Sequence, residues 1–178
     1  MFDAFLPTLQ SALDWRATVA IGDILSFRFP VADEEEGGTD LKNRPCLVLE
    51  VEDRGGVRYA LLAYGTSSRG RANRGDEVLI RRPEALASCG LDRPTRFVGA
   101  RRIWVPLASN DFVPRRKDGT ALIGQLSGAE LARLNAVRAR IIALADIAAY
   151  RREEGRRERQ GERRPVLSLP AFRGEVRP

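Results

Sequence analysis

The sequence contains no histidine, and its 178 residues include only two cysteines and one methionine. Without histidine there are no Ser-His or Cys-His nucleophile pairs and no His-containing zinc sites. The side chain best suited to moving protons near neutral pH is also missing. Cys46 and Cys89 are too few for a disulfide framework or an all-cysteine zinc site. Cys46 lies in the apolar run PCLVLEV and reads as a buried free thiol. No apolar run approaches the ~20 residues of a membrane-spanning helix. The start MFDAFLPTLQ has no basic region ahead of an apolar core, so no signal peptide is expected. At 43% hydrophobic and 30% charged, the composition is that of an ordinary soluble domain, expected in the cytoplasm without membrane contact. Any chemistry falls to arginine, carboxylates and hydroxyls, and neither a metal nor another cofactor is expected.

What is abundant is arginine, which supplies 28 of the 30 basic residues against 24 acidic ones. A GC-rich genome alone produces such a bias, but the distribution of charge adds information. Residues 1–68 carry a balance of −5, residues 69–102 carry +5, and residues 151–178 carry +4. An acidic front followed by basic segments suggests contact with a polyanion.

Three regions follow from the patterning: an N-terminal helical extension over 1–20, a domain over 21–150 and an Arg-rich tail over 151–178. Phe2, Phe5, Leu6, Leu9 and Leu13 recur at helical spacing, which predicts a leading helix that packs on the domain or on a partner. GDILSFRF alternates Ile24, Ser26 and Arg28 against Leu25, Phe27 and Phe29, the pattern of a half-buried strand. The polar loop VADEEEGGTDLKN follows. RPCLVLEV and VRYALLAY, joined by EDRGG, predict a hairpin with a Gly-Gly turn. After the basic loop GTSSRGRANRG come a short strand DEVLIRR and a helical turn entered at Pro83 and stopped at Gly90. TRFVGARRIWVPL is a strand broken at Gly99, and ALIGQL is the last strand. Ser127 and Glu130 have capping-box spacing, opening a helix whose stripe is Leu131, Leu134, Val137, Ile141, Leu144 and Ala148. Beyond Tyr150 the charged run has no apolar face and reads as a frayed helix or a disordered tail. Short strands in hairpin order with a late helix predict a mainly β domain with some α, a small antiparallel barrel closed by a C-terminal helix.

Three segments together resemble the MazF/PemK (Kid) family of type II toxin–antitoxin RNases. GDILSFRF, its acidic loop and KNRPCLVLEV are similar to that family's opening strand, loop and Arg-Pro strand, with Arg44 and Pro45 at the signature pair. LLAYGTSS resembles the strand ending in Thr-Ser or Thr-Ala, at Thr66 and Ser67. LIGQLSGAELARL resembles the family's strand-to-helix junction. The likeness spans roughly residues 21–148. It departs from the family at RRIWV, in the longer acidic loop, over residues 81–96, and in both terminal additions.

The resemblance implies an SH3-like barrel of the CcdB/MazF kind, a homodimer, and metal-independent cleavage of single-stranded RNA. The 2′-hydroxyl would attack the adjacent phosphate, leaving a 2′,3′-cyclic phosphate and a 5′-hydroxyl. It also implies an antitoxin partner lying in the same groove, with Arg44 and Thr66 as the carried-over catalytic residues. Elementary chemistry agrees. An internal nucleophile needs only in-line positioning, loss of a proton and charge stabilisation. Arg44 offers a permanently charged fork for phosphate, and Thr66 and Ser67 offer hydroxyl donors. A group of pKa above ~12 makes Arg44 a poor general base. The acidic loop offers the proton acceptor, from Glu34, Glu35, Glu36 or Asp40, with Glu36 and Asp40 preferred; the same run also reads as a solvated loop. Arg69, Arg71, Arg74, Arg101 and Arg102 are candidates to track the RNA backbone. Trp104, Tyr64 and Phe112 are candidates to stack on a base, although Trp104 and Tyr64 also fit a core or interface. Two other functions stay open: a non-catalytic nucleic-acid-binding barrel, and a toxin acting on a protein target such as DNA gyrase.

Overall fold

A computed structural model describes residues 15–32, 39–68 and 75–161. Residues 2–14 of the leading helix expected over 2–16, residues 33–38 of the expected polar loop and the segment carrying Arg69, Arg71 and Arg74 lie outside the described residues, as does the chain beyond Gly161; the rest of that loop, 31–32 and 39–43, is strand instead, because the two flanking strands extend their pairing through it. Six strands form one antiparallel sheet: β1 (Asp23–Ala32), β2 (Thr39–Arg54), β3 (Val57–Thr66), β4 (Glu77–Ile80), β5 (Thr95–Pro106) and β6 (Leu122–Gln125). Among the described residues it is accompanied by a helical turn at 15–18 and by two longer helices, α1 (Pro83–Ser88) and α2 (Gly128–Gly161). The spatial order β4-β5-β3-β2-β1-β6 leaves β4 and β6 as unpaired edges, so hydrogen bonding does not close the sheet into the expected barrel. Both edge strands are only four residues long, which gives little backbone with which to zip a seam.

The hairpin forms as its composition predicts. Gly55 and Gly56 take φ of 58° and 81° in a two-residue turn, the left-handed pair that matches strand twist. Gly90 likewise ends α1 at φ 63°, where the Leu91 N–H reaches the Leu86 carbonyl at 2.9 Å. The break at Gly99 is a bulge, because Ala63 pairs with Arg102 whereas its neighbour Tyr64 pairs with Val98.

Burial differs from the half-buried pattern read for β1. Leu25, Phe27 and Phe29 enter one core cluster with Cys46, Val48, Ala60, Leu62 and Tyr64. Ile24 enters a second cluster on the other side of the sheet with Leu47, Leu49, Leu61 and Ala63, and Ser26 is buried too. Alternation along the central strands therefore feeds two cores. Trp15 and Val19 cover the first, with Trp15 packed edge-on against Phe112 at 5.3 Å. Arg58 holds that N-terminal turn by donating to the carbonyls of Ala17 and Val19. Leu134 and Val137 of α2 cover the second core.

The described chain divides into two compact units, one up to Ile141 and one from Ile142. Within the first, α2 follows its predicted stripe: Leu134 and Val137 are fully buried, and Leu131 and Ile141 pack at the edge. The capping box is replaced by another arrangement. Gly128 opens the helix at φ 52°, and the Glu130 carboxylate accepts from Arg82 at 2.5 Å. Arg133 and Arg140 bond the entry to β4, at the Gly75 and Glu77 carbonyls and the Asp76 carboxylate. In the second unit the stripe is not covered: Leu144 is exposed, as are Ile142, Ile147 and Tyr150. The charged run continues as helix to Gly161, with Arg157 pairing Glu153 one turn away. No described helix is long and apolar enough to cross a membrane.

Leu134→Ala is expected to cost about 2–5 kcal/mol in urea unfolding, by loss of transfer energy and creation of a cavity. Asn135→Ala, on the exposed side of the same turn, is expected to stay within about 0.5 kcal/mol of the parent protein.

Candidate functional site

Arg44 and Thr66 come from adjacent strands and meet because of how β2 pairs with β3. Cys46 opposes Tyr64, so Pro45 and Gly65 stand at the next position, and Arg44 and Thr66 face each other one position further on. Proline there has no N–H to give, and glycine has no side chain in the way. A Cβ on Gly65 would lie 2.1 Å from the Pro45 carbonyl oxygen, so only glycine allows this approach.

The junction lines a cavity of about 300 Å³. β2 contributes Asn43, Arg44 and Pro45; β3 and its exit contribute Gly65, Thr66 and Ser67. The turn leading into β5 adds Asp92, Arg93 and Thr95. Arg44 is half-buried, its guanidinium carbon 5.1 Å from the Tyr64 ring centroid. Its Nε is buried without a hydrogen-bond partner among the described residues. A buried N–H left open is costly unless a ligand or water satisfies it. Asn43 Oδ1 accepts from the Ser26 hydroxyl at 2.7 Å, which leaves the amide N–H groups as donors. Thr66 Oγ1 accepts from the Ser68 N–H at 3.1 Å and keeps its own proton to donate. Hydrogen bonding from the Arg93 guanidinium holds the Asp92 carboxyl below the usual carboxylate range.

No family model and no curated protein matches the chain. The likeness to MazF/PemK toxins is carried by the three motifs alone.

The site residues expected from sequence fall into several groups. Arg44, Thr66 and Ser67 share the cavity. Arg101 is exposed in the β5 bulge with its guanidinium 5.8 Å from the same Tyr64 ring that Arg44 faces. Arg102 is exposed and donates to the Gly99 carbonyl at 2.8 Å. Trp104 packs at the margin of the second core under the Arg54 guanidinium, 4.1 Å away, and does not line the cavity. Tyr64 and Phe112 are buried in the first core, with Phe112 between Trp15 and Phe27. The Asp40 backbone pairs with Val31; its side chain, and all of Glu34, Glu35, Glu36, Arg69, Arg71 and Arg74, lie outside the described residues. Among the described residues, no three His, Cys, Asp or Glu side chains gather to hold a metal ion.

Asn43, Asp92, Arg93 and Thr95 were not anticipated from the sequence. Arg-Pro recurs at 44–45, 82–83, 93–94, 164–165 and 177–178, so the dipeptide at Arg93 carries no signal of its own in the sequence. Cys46 lies beside the site but is sealed from it. Burial pushes its thiol up to about 12, and burial raises Cys89 as well. A raised thiol stays protonated and unreactive below the folded pKa. The native protein at pH 8 is therefore expected to leave both thiols unlabelled by a disulfide reagent over minutes, with two reacting in urea. Rapid labelling of native Cys46 would contradict the sealed site.

Proposed function

We propose that the protein is a metal-independent endoribonuclease toxin of the MazF/PemK type, cleaving single-stranded RNA by attack of the 2′-hydroxyl. The observation that carries this reading is the convergence of Arg44 and Thr66 in one cavity, with the Arg44 Nε buried and without a partner among the described residues. The proposed fold is that family's SH3-like one, opened here between β4 and β6. Its proposed partners are single-stranded RNA, an antitoxin and a second copy of the chain.

In the proposed reaction the 2′-oxygen loses its proton and bonds to phosphorus, and the 5′-oxygen leaves with the bonding electrons and gains a proton. Negative charge grows on the non-bridging oxygens. Arg44 answers that charge with a fork whose direction is set by the Tyr64 face. The Thr66 and Ser67 hydroxyls and the Asn43 amide add neutral donors around the same phosphate. The acidic loop, through Glu36 or Asp40, takes the proton in this scheme. Arg101 extends the positive strip past Tyr64 toward a neighbouring phosphate.

Purified protein incubated with single-stranded RNA in EDTA is expected to leave cyclic-phosphate and 5′-hydroxyl ends. Arg44→Ala and Thr66→Ala are each expected to slow this by ~10²–10³-fold. RNA that binds without being cut supports a non-catalytic binding module instead. RNA that neither binds nor breaks favours a protein target such as DNA gyrase. Deleting residues 151–178 is expected to lower RNA affinity and flatten its dependence on salt concentration while leaving the cleavage position unchanged. An unaltered salt slope would remove the tail from the RNA contact.

A further inference from the structure

Asn43 stands at the wall of the cavity with the two ends of its amide in different situations. Its Oδ1 accepts a hydrogen bond from the Ser26 hydroxyl at 2.7 Å, across the β1–β2 pair. Its Nδ2 makes no hydrogen bond among the described residues, and the residue is exposed. An amide nitrogen only donates, so whatever meets this end of the side chain has to be an acceptor.

Ser26 has little freedom to release the Asn43 oxygen. It is 8% exposed, in a strand covered on both faces. Its N–H donates to the Ala121 carbonyl at 2.8 Å, and its carbonyl accepts from the Val113 N–H at 2.9 Å. Ser26 opposes Pro45 and Arg28 opposes Asn43, so the two polar side chains are diagonal neighbours on one face of the pair. A flipped Asn43 would turn its nitrogen toward Ser26 and take away the acceptor of a buried hydroxyl, which is costly. Ser26 therefore fixes which end of the amide is left open.

We propose that Ser26 is a positioning residue for this cavity: it locks the Asn43 amide with both N–H groups open to a ligand that only accepts hydrogen bonds, the non-bridging oxygens of a phosphate. Ser26 does not itself line the cavity and acts through Asn43 alone. Arg44, next in the chain, brings a permanent positive charge and a buried Nε without a partner among the described residues, which favours an anionic acceptor over a neutral carbonyl. Asp92 is the one carboxylate on that wall among the described residues, and Arg93 already takes both of its oxygens. The substrate class rests on the RNA-cleaving reading, but the lock is measurable without cleavage.

The test uses the intact protein with two probes. Inorganic phosphate, titrated into isotope-labelled protein, is expected to shift the Asn43 side-chain amide resonances, which are identified by their loss in Asn43→Asp. A single-stranded deoxyoligonucleotide keeps the phosphates, lacks the attacking hydroxyl and reports affinity. Asn43→Asp keeps the shape but replaces the donors with charge, and is expected to weaken oligonucleotide binding by ~10–100-fold. Ser26→Ala is expected to weaken it by ~3–10-fold, the range of one hydrogen bond. Added to Asn43→Ala, the same change is expected to alter affinity by less than about 2-fold, because its whole effect passes through the amide. Ser26→Ala binding like the parent, or losing as much affinity in the Asn43→Ala background, overturns the lock; the second result makes Ser26 a packing residue. Asn43 resonances unmoved by saturating phosphate also overturn it, and that measurement stands even if Ser26→Ala fails to fold. Ser26-dependent phosphate binding in a protein that cuts no RNA supports the lock and removes the nuclease reading. RNA cleavage that Ser26→Ala leaves at the parent rate removes the lock and keeps the nuclease.

Discussion

The approach of the Gly65 backbone to the Pro45 carbonyl governs the site. At that point one strand lacks an N–H and the other lacks a side chain, so β2 and β3 come closer than two ordinary residues allow. Arg44 and Thr66 come next along the two strands, opposite one another, and Tyr64 precedes the contact with its ring in the first core. The same ring faces Arg44 and Arg101. A rigid aromatic surface thus aims two permanently charged groups whose stems are otherwise long and flexible.

Behind the junction, the central strands are buried on both faces, which fixes the register strongly. A one-residue slip of β2 would exchange Cys46 and Val48 for Leu47 and Leu49, and each set is matched to a different core. Trp15 from the N-terminal turn and Leu134 and Val137 from α2 press on opposite sides. Gly124 allows β6 to lie against the Cys89 backbone, where a Cβ would come within 2.4 Å. The turn that carries Asp92 and Arg93 follows directly from this packed end of α1, so the cavity's third wall is anchored to the second core.

The second unit has a different character. Ile142, Leu144, Ile147 and Tyr150 are exposed within about two turns of helix, followed by a run of charge. Periodicity describes which residues share a helical face, but not whether anything lies opposite that face. Up to Ile141 the sheet lies opposite it; for the residues that follow, the stripe continues with nothing over it among the described residues of that unit.

Local chemistry made several elements legible in the sequence. The Gly55-Gly56 turn, the stop at Gly90 and the break at Gly99 each follow from glycine's backbone freedom. The Arg-Pro and Thr-Ser segments marked two sides of the cavity. The third side was not legible, because Asp92 and Arg93 are ordinary turn residues until β5 is paired with β3. The capping box was also misread, since Glu130 has a stronger partner in Arg82 than the helix N-terminus offers. By itself the sequence determined which turns form, where the strands lie, and that histidine contributes to no site in this chain. Only the tertiary structure decided that the sheet stays open, that both faces of β1 are covered and that Asp92 joins Arg44, because those depend on contacts between residues far apart in the chain.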